Sequence, residues 1–111
     1  IEALLDNERL SVPGSMLRRG RRHFALRVQG QSMVDDHILD GDIVVVEARD
    51  SGQNGETVVA LLEGAGATLK RYYREGSRIR LQPANDAMEP IYVEESELRI
   101  QGVVVGLIRA Y

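Results

Sequence analysis

The chain has 111 residues, a formal net charge of −3, 43% hydrophobic and 28% charged residues, and no cysteine. Those figures describe one ordinary folded domain with a single core, exclude disulfides and cysteine-based zinc sites, and give no bulk attraction to nucleic acid or anionic membranes. The longest apolar run, Val103-Val104-Val105-Gly106-Leu107-Ile108, falls far short of the roughly 20 residues a bilayer span needs, and no basic-then-apolar signal peptide opens the chain. A cytoplasmic protein is the expectation.

In chain order, Ile1-Glu2-Ala3-Leu4-Leu5-Asp6 suits either a helical turn or an extended lead-in, and Val12-Pro13-Gly14-Ser15 is a turn. Residues 24–28, Phe-Ala-Leu-Arg-Val, alternate as a strand and stop before Gly30. Ser32, with Asp35 three residues on, resembles a capped helix start, so a short helix is expected over residues 32–36. Asp40-Gly41-Asp42 turns into an apolar strand at residues 43–46, and residues 50–55 are rich in turn formers. Residues 57–62 and 67–73 flank Glu63-Gly64-Ala65-Gly66 as a hairpin. Residues 74–77 turn into a strand at 78–81, Pro83-Ala84-Asn85-Asp86 breaks the pattern, residues 91–93 resume it, and residues 98–108 close with a long strand. The fold class expected is mainly β: an antiparallel, partly open domain over residues 1–111 with one short helix beginning at Ser32.

Among the serines, Ser11, Ser15, Ser51, Ser77 and Ser96 all sit in turns or loops where backbone hydrogen bonding accounts for them. Ser32 alone joins a preceding glycine to a helix start between apolar segments. As an N-cap its hydroxyl is worth on the order of 1 kcal/mol; as a nucleophile it sits where unpaired N–H groups make an oxyanion hole. The serine does not decide between these without its base. His37, a few residues beyond Ser32 on a short helix, is expected to point to solvent, His23 ends a basic run, and neither has an evident orienting carboxylate.

Lysine is the sharper signal. Thirteen arginines accompany a single lysine, Lys70. Arginine keeps its proton in proteins, whereas a buried lysine can lose it. On a strand, Thr68, Lys70 and Tyr72 share one face. A surface lysine on an edge strand is the plain reading; an inward Lys70 is the chemical one. Holding its amine neutral at pH 7 takes roughly 4–5 kcal/mol at 1.36 per unit, which burial supplies. Such an amine takes the proton of a serine hydroxyl.

Val28-Gln29-Gly30-Gln31-Ser32-Met33, followed by Ile38-Leu39-Asp40-Gly41-Asp42, resembles the nucleophile segment of the LexA repressor family of self-cleaving serine peptidases. Thr68-Leu69-Lys70-Arg71, with the lysine 38 residues after the serine, resembles that family's lysine segment. Leu81-Gln82-Pro83-Ala84-Asn85, Glu89-Pro90-Ile91 and residues 101–109 extend the similarity, which is good from about residue 24 and loose over residues 1–23. The resemblance implies that Ser32 attacks an upstream Ala-Gly bond of the same protein, that Lys70 is the general base, and that the N–H groups of Ser32 and Gln31 hold the oxyanion. It implies no cofactor and no metal. It implies stimulation by a RecA–single-strand DNA filament in the SOS response, operator binding through an N-terminal winged helix-turn-helix absent here, and a homodimer touching through the last strand, at Leu107, Ile108, Arg109, Ala110 and Tyr111. Because the chain opens at Ile1, the scissile bond is expected at or just before that residue, with residues 1–23 a lead-in close to it.

Two rival readings stand beside it: a UmuD-like polymerase accessory protein with the same chemistry and no DNA-binding half, and a β-rich dimerisation module without activity. A signal peptidase, which shares serine–lysine chemistry, is disfavoured by the lack of a membrane anchor. Arg18-Arg19-Gly20-Arg21-Arg22-His23 reads as a solvated loop or a phosphate patch without aromatic support. Asp35, Asp36, Asp40 and Asp42 do not fit the spacing of an EF-hand calcium loop and read as turn and helix-start charges.

Overall fold

Alternating apolar residues and closely spaced turns build nine strands in the computed structural model, which describes the backbone of residues 2–5 and 8–109 and the side chains of residues 12–109. They are β1 (Glu2–Leu5), β2 (Glu8–Ser11), β3 (His23–Arg27), β4 (Ile43–Ala48), β5 (Thr57–Leu62), β6 (Gly66–Glu75), β7 (Arg78–Gln82), β8 (Ile91–Glu94) and β9 (Leu98–Ile108). The lead-in, which suited helix or extended chain by sequence, contributes the β1–β2 hairpin. The remaining seven strands form one open sheet in the order β3-β4-β9-β5-β6-β7-β8, every neighbouring pair antiparallel. The mainly β, partly open architecture expected from the sequence is what forms. The expected helix is a single 3-10 turn, Val34–Asp36, and two further 3-10 turns occupy Gly14–Met16 and Glu95–Glu97.

The long last strand organises the sheet. β9 pairs with β5 through residues 98–103 and with β4 through residues 102–108, and a bulge interrupts each pairing, at Val45/Val46 and at Val59/Ala60. Bulges bend a strand and raise its twist, so one strand serves two differently directed neighbours. Gly102 sits where they meet. A Cβ there would collide with the Val46 side chain and come within 2.5 Å of the Glu47 carbonyl oxygen. Glycine is required by close approach, not by backbone angle.

Two apolar clusters result. Val58, Ala60, Tyr72, Ile79, Leu81, Ile100 and Val103 form one; Met33, Ile38, Val44, Val46 and Val59 form the other, joined by Leu26, Leu69, Ala84 and Leu107 among half-buried residues. Val58 and Val59 belong to different clusters, as the period-2 alternation of a strand dictates. Each fully buried valine contributes about 1.5–3 kcal/mol. The second cluster includes Met33, the residue after Ser32, so the serine turn is anchored by its own neighbour.

The basic run is not simply solvated. Arg18 and Arg21 reach the carboxylate of Glu47 at 3.3 and 3.4 Å, and Arg49 reaches it at 2.9 Å. Glu47 is buried, and the arginines hold its carboxyl below the usual range, chiefly through the Arg49 hydrogen bond. Three guanidiniums gathered on one acid offset its desolvation.

Candidate active site

Between β3 and β4 the chain makes a loop closed on itself. The Val28 N–H donates to the Asp42 carbonyl at 2.7 Å, and Gly41 N–H returns to the Val28 carbonyl at 2.8 Å. Gly30 takes φ of 92°, open to glycine at little cost, and its N–H donates to Asp40 Oδ1 at 2.8 Å. Of the four aspartates expected to serve the turn, Asp40 and Asp42 do so, whereas Asp35 and Asp36 reach distant parts of the chain. Asp35 Oδ2 accepts the Asp86 N–H, Asp36 meets Arg71, Asp40 accepts Gly30, and Asp42 accepts Leu39 N–H and a fork from Arg109. Among the described residues no cluster of acids and histidines is arranged to hold a metal.

Ser32 does not cap the turn. The 3-10 turn starts after Met33 and carries no side-chain cap, and Ser32 Oγ donates instead to the Leu69 carbonyl oxygen at 3.4 Å. The capping expectation is therefore corrected: the turn begins one residue too late for the hydroxyl to reach its free N–H groups. Among the described residues, the N–H groups of Gln31 and Ser32 donate to no protein acceptor, which leaves them available to an oxygen placed in the cleft.

Lys70 lies on β6 opposite Val58, with Thr68 opposite Ala60. Both partners are fully buried, and Lys70 itself is only 6% exposed. Its Nζ donates to Thr68 Oγ1 at 2.6 Å. Burial lowers its pKa from the ordinary value, because the charged ammonium loses its water here without gaining an anion. The edge-strand surface reading does not hold for this residue.

Ser32 and Lys70 line one cleft of about 410 Å³, with Gly30 and Gln31 on its rim and Leu26, Val28, Val44, Val59, Leu69 and Met88 among its walls. Neither histidine lines it. The His23 ring is held by Arg21 and Arg18, its Nδ1 donating to the Arg21 carbonyl and its Nε2 accepting the Arg18 N–H, while His37 is exposed with φ of 61°. One further feature concerns backbone. β7 pairs with β6 only from Arg71 onward, so residues 66–70 carry a free strand edge among the described residues, and Leu69 on that edge accepts Ser32.

Two supports went unread in the sequence. Asn85 Nδ2 donates to the Gln31 carbonyl at 2.8 Å and Asp35 N–H donates to the Ala84 carbonyl at 2.7 Å, so the β7–β8 loop braces the serine loop. Met88, on the same loop, reaches the cleft with 41% of its surface exposed. Pro83-Ala84-Asn85 broke the strand pattern and carried no local sign of its targets about fifty residues away.

The suggested dimer residues divide. Leu107 and Ile108 are half-buried on β9, whose residues 104–108 pair with β4 alone among the described residues. Among the described residues β9 thus has a partner strand on both sides only at residues 102–103, with residues 98–101 paired to β5 and residues 104–108 to β4. Arg109 is engaged within the chain, its Nε and Nη2 donating to Asp42 at 2.8 and 2.6 Å and Nη2 also to the His37 carbonyl. Ala110 and Tyr111 lie outside the described residues.

The family profile "Peptidase S24-like" matches residues 1–105. The LexA repressor of Myxococcus xanthus is 59% identical over 93 residues, covering 81% of this chain and 41% of that protein. That of Zymomonas mobilis is 49% identical over 111 residues, covering the whole chain and 51% of that protein. That of Thermotoga neapolitana is 44% identical over 102 residues, covering 92% and 49%. The chain spans about half the length of these curated relatives.

Proposed function

The chain belongs to the Peptidase S24-like family, and from that premise we propose that it is the self-cleaving, dimer-forming domain of a LexA-type repressor, with Ser32 as nucleophile and Lys70 as general base. The observation that carries the reading is the shared cleft: the only lysine of the chain is buried, its pKa lowered by desolvation, in the same cavity as a serine hydroxyl that caps nothing.

The chemistry follows from those groups. Uncharged Lys70 Nζ takes the proton of Ser32 Oγ as the oxygen attacks the carbonyl carbon of the scissile peptide bond. The carbonyl oxygen gains negative charge against the N–H groups of Gln31 and Ser32. The Lys70 ammonium then protonates the departing amine, leaving an acyl-serine and a neutral lysine. Water, deprotonated by Lys70, hydrolyses the ester and restores both side chains. The free edge of residues 66–70 suits a substrate held as an added strand, since among the described residues no strand pairs there on the side away from β5.

The substrate in this reading is an Ala-Gly bond upstream in the same protein, cut on stimulation by a RecA–single-strand DNA filament, which inactivates a repressor of the SOS response. Operator DNA is bound through the other half of the protein. The open edge of residues 104–108 supports strand-to-strand pairing in a homodimer. The UmuD-like accessory role uses the same site.

The test is phosphonylation of Ser32 by a fluorophosphonate, in which Oγ displaces fluoride from phosphorus and Lys70 receives the proton. Labelling is expected to vanish in Ser32→Ala and to fall at least 100-fold in Lys70→Arg, while self-cleavage of the parent protein stops in both. Undiminished labelling or cleavage in Lys70→Arg rules the mechanism out.

A further inference from the structure

Lys70 and Arg71 are consecutive on β6 and so point to opposite faces of the strand. Lys70 enters the cleft. Arg71 crosses to the serine turn, where its Nε donates to Asp36 Oδ2 at 2.8 Å and its Nη2 to Asp36 Oδ1 at 2.6 Å. We propose that this Asp36–Arg71 fork sets the distance between Ser32 and Lys70, making both residues positioning residues for the nucleophile; the proposal rests on the serine–lysine reading above.

Three observations carry it. Among the described residues the fork is the only ion pair joining the serine turn to the lysine strand. Asp36 is coupled stiffly to the nucleophile: it ends the 3-10 turn, its N–H donates to the Met33 carbonyl at 3.1 Å, and Met33 follows Ser32 and is buried. The remaining direct tie, Ser32 Oγ to the Leu69 carbonyl, is long at 3.4 Å and must break for the hydroxyl to hand its proton to Lys70. The other braces run from Ala84, Asn85 and Asp86 on the β7–β8 loop, and do not register the serine against β6. A planar guanidinium held at two points fixes both distance and angle, as a lysine or a single hydrogen bond does not.

The pair is only partly buried, and an ion pair that solvent still screens contributes little to stability. Misplacing a nucleophile by about 1 Å costs far more in rate, of order 100-fold. Reactivity of Ser32, not stability, is therefore what the fork controls.

The test measures fluorophosphonate labelling of Ser32 across pH in the chain itself and in Asp36→Asn, Arg71→Gln and the double variant, with folding checked by circular dichroism. Positioning predicts a plateau rate about 10-fold lower in each single variant, with the double no worse than either. Charge alone predicts opposite effects, because removing Asp36 favours neutral Lys70 and removing Arg71 disfavours it. Rates within twofold of the parent, or changes of opposite sign in the two variants, overturn the proposal. Arg71→Lys keeps the charge without the fork; it is expected to be as slow as Arg71→Gln and carries the test if the latter unfolds. Labelling independent of Lys70 in the parent sinks the serine–lysine reading and this inference together; labelling that needs Lys70 but ignores the fork sinks this inference alone.

Discussion

Lys70 Nζ and Thr68 Oγ1 lie 2.6 Å apart on one strand, opposite the fully buried Val58 and Ala60. Among the described residues the amine has one hydroxyl and no carboxylate to hold its proton. Its chemistry follows from that poverty.

A first consequence is the pH profile of Ser32. In the proposed mechanism the neutral amine is the competent form, and burial lowers its pKa, so labelling should rise with pH, about tenfold per unit, and level off below the ordinary lysine value of 10.5. Thr68→Val removes an acceptor that favours the ammonium, and should move the rise to lower pH. Labelling rates read by mass spectrometry from pH 6 to 11 check both; a flat profile excludes Lys70 as base.

Stability should show the same burial with its own sign. A folded-state pKa below the unfolded one means that the unfolded chain binds more protons between the two values, so Lys70 costs stability at neutral and acidic pH and less as the medium turns alkaline. Lys70→Met should therefore stabilise the domain at pH 7 by about 1 kcal/mol or more, several degrees in Tm, with the gain shrinking above the lowered pKa. Thermal unfolding at pH 7 and pH 10 measures it. Destabilisation at pH 7 would falsify the account of a strained buried amine.

Asp42 behaves in the opposite sense. The Arg109 hydrogen bonds, with help from the Leu39 N–H, lower its carboxyl from 3.8 to about 2. A depressed acid stabilises the fold above its unfolded pKa and ceases to do so as pH falls through the folded one. Between about pH 4 and pH 2 the parent should lose stability that Asp42→Asn never had. Unfolding midpoints across that window should converge at the acid end, with the variant lower at pH 7.

Gly102→Ala tests the seam of the sheet. Its methyl group would meet the Val46 side chain and the Glu47 carbonyl, a backbone atom that cannot rotate away. A loss of about 3 kcal/mol is expected, against about 1 at an ordinary overpacked site. Chemical denaturation gives the number; a neutral effect means that the bulge in β4 adjusts.

Strand by strand, local pattern was informative. The run at residues 57–62 and the closing strand at 98–108 coincide with β5 and β9, because alternation and flanking turn formers are properties of neighbouring residues. At the lead-in the same rules were silent between helix and strand, and β1 exists through its pairing with β2. Ser32 and Lys70 stood out by residue type alone, one as a serine between a glycine and apolar segments, the other as the sole lysine. The capping alternative for Ser32 failed because a hydroxyl takes the partner that tertiary packing delivers, here the Leu69 carbonyl.

Residue order by itself thus determined the antiparallel β character and the turns, and singled out the two side chains proposed to react. The folded sheet decided the rest: that Lys70 is desolvated, that it shares a cleft with Ser32, that Asp36 finds Arg71 and Asn85 finds Gln31, and that Glu47 gathers three arginines. Alternation is written in consecutive residues, whereas burial and most of these ion pairs join residues tens of positions apart. Only closure of the sheet brings such partners within hydrogen-bond reach and removes the water that would otherwise keep the amine charged.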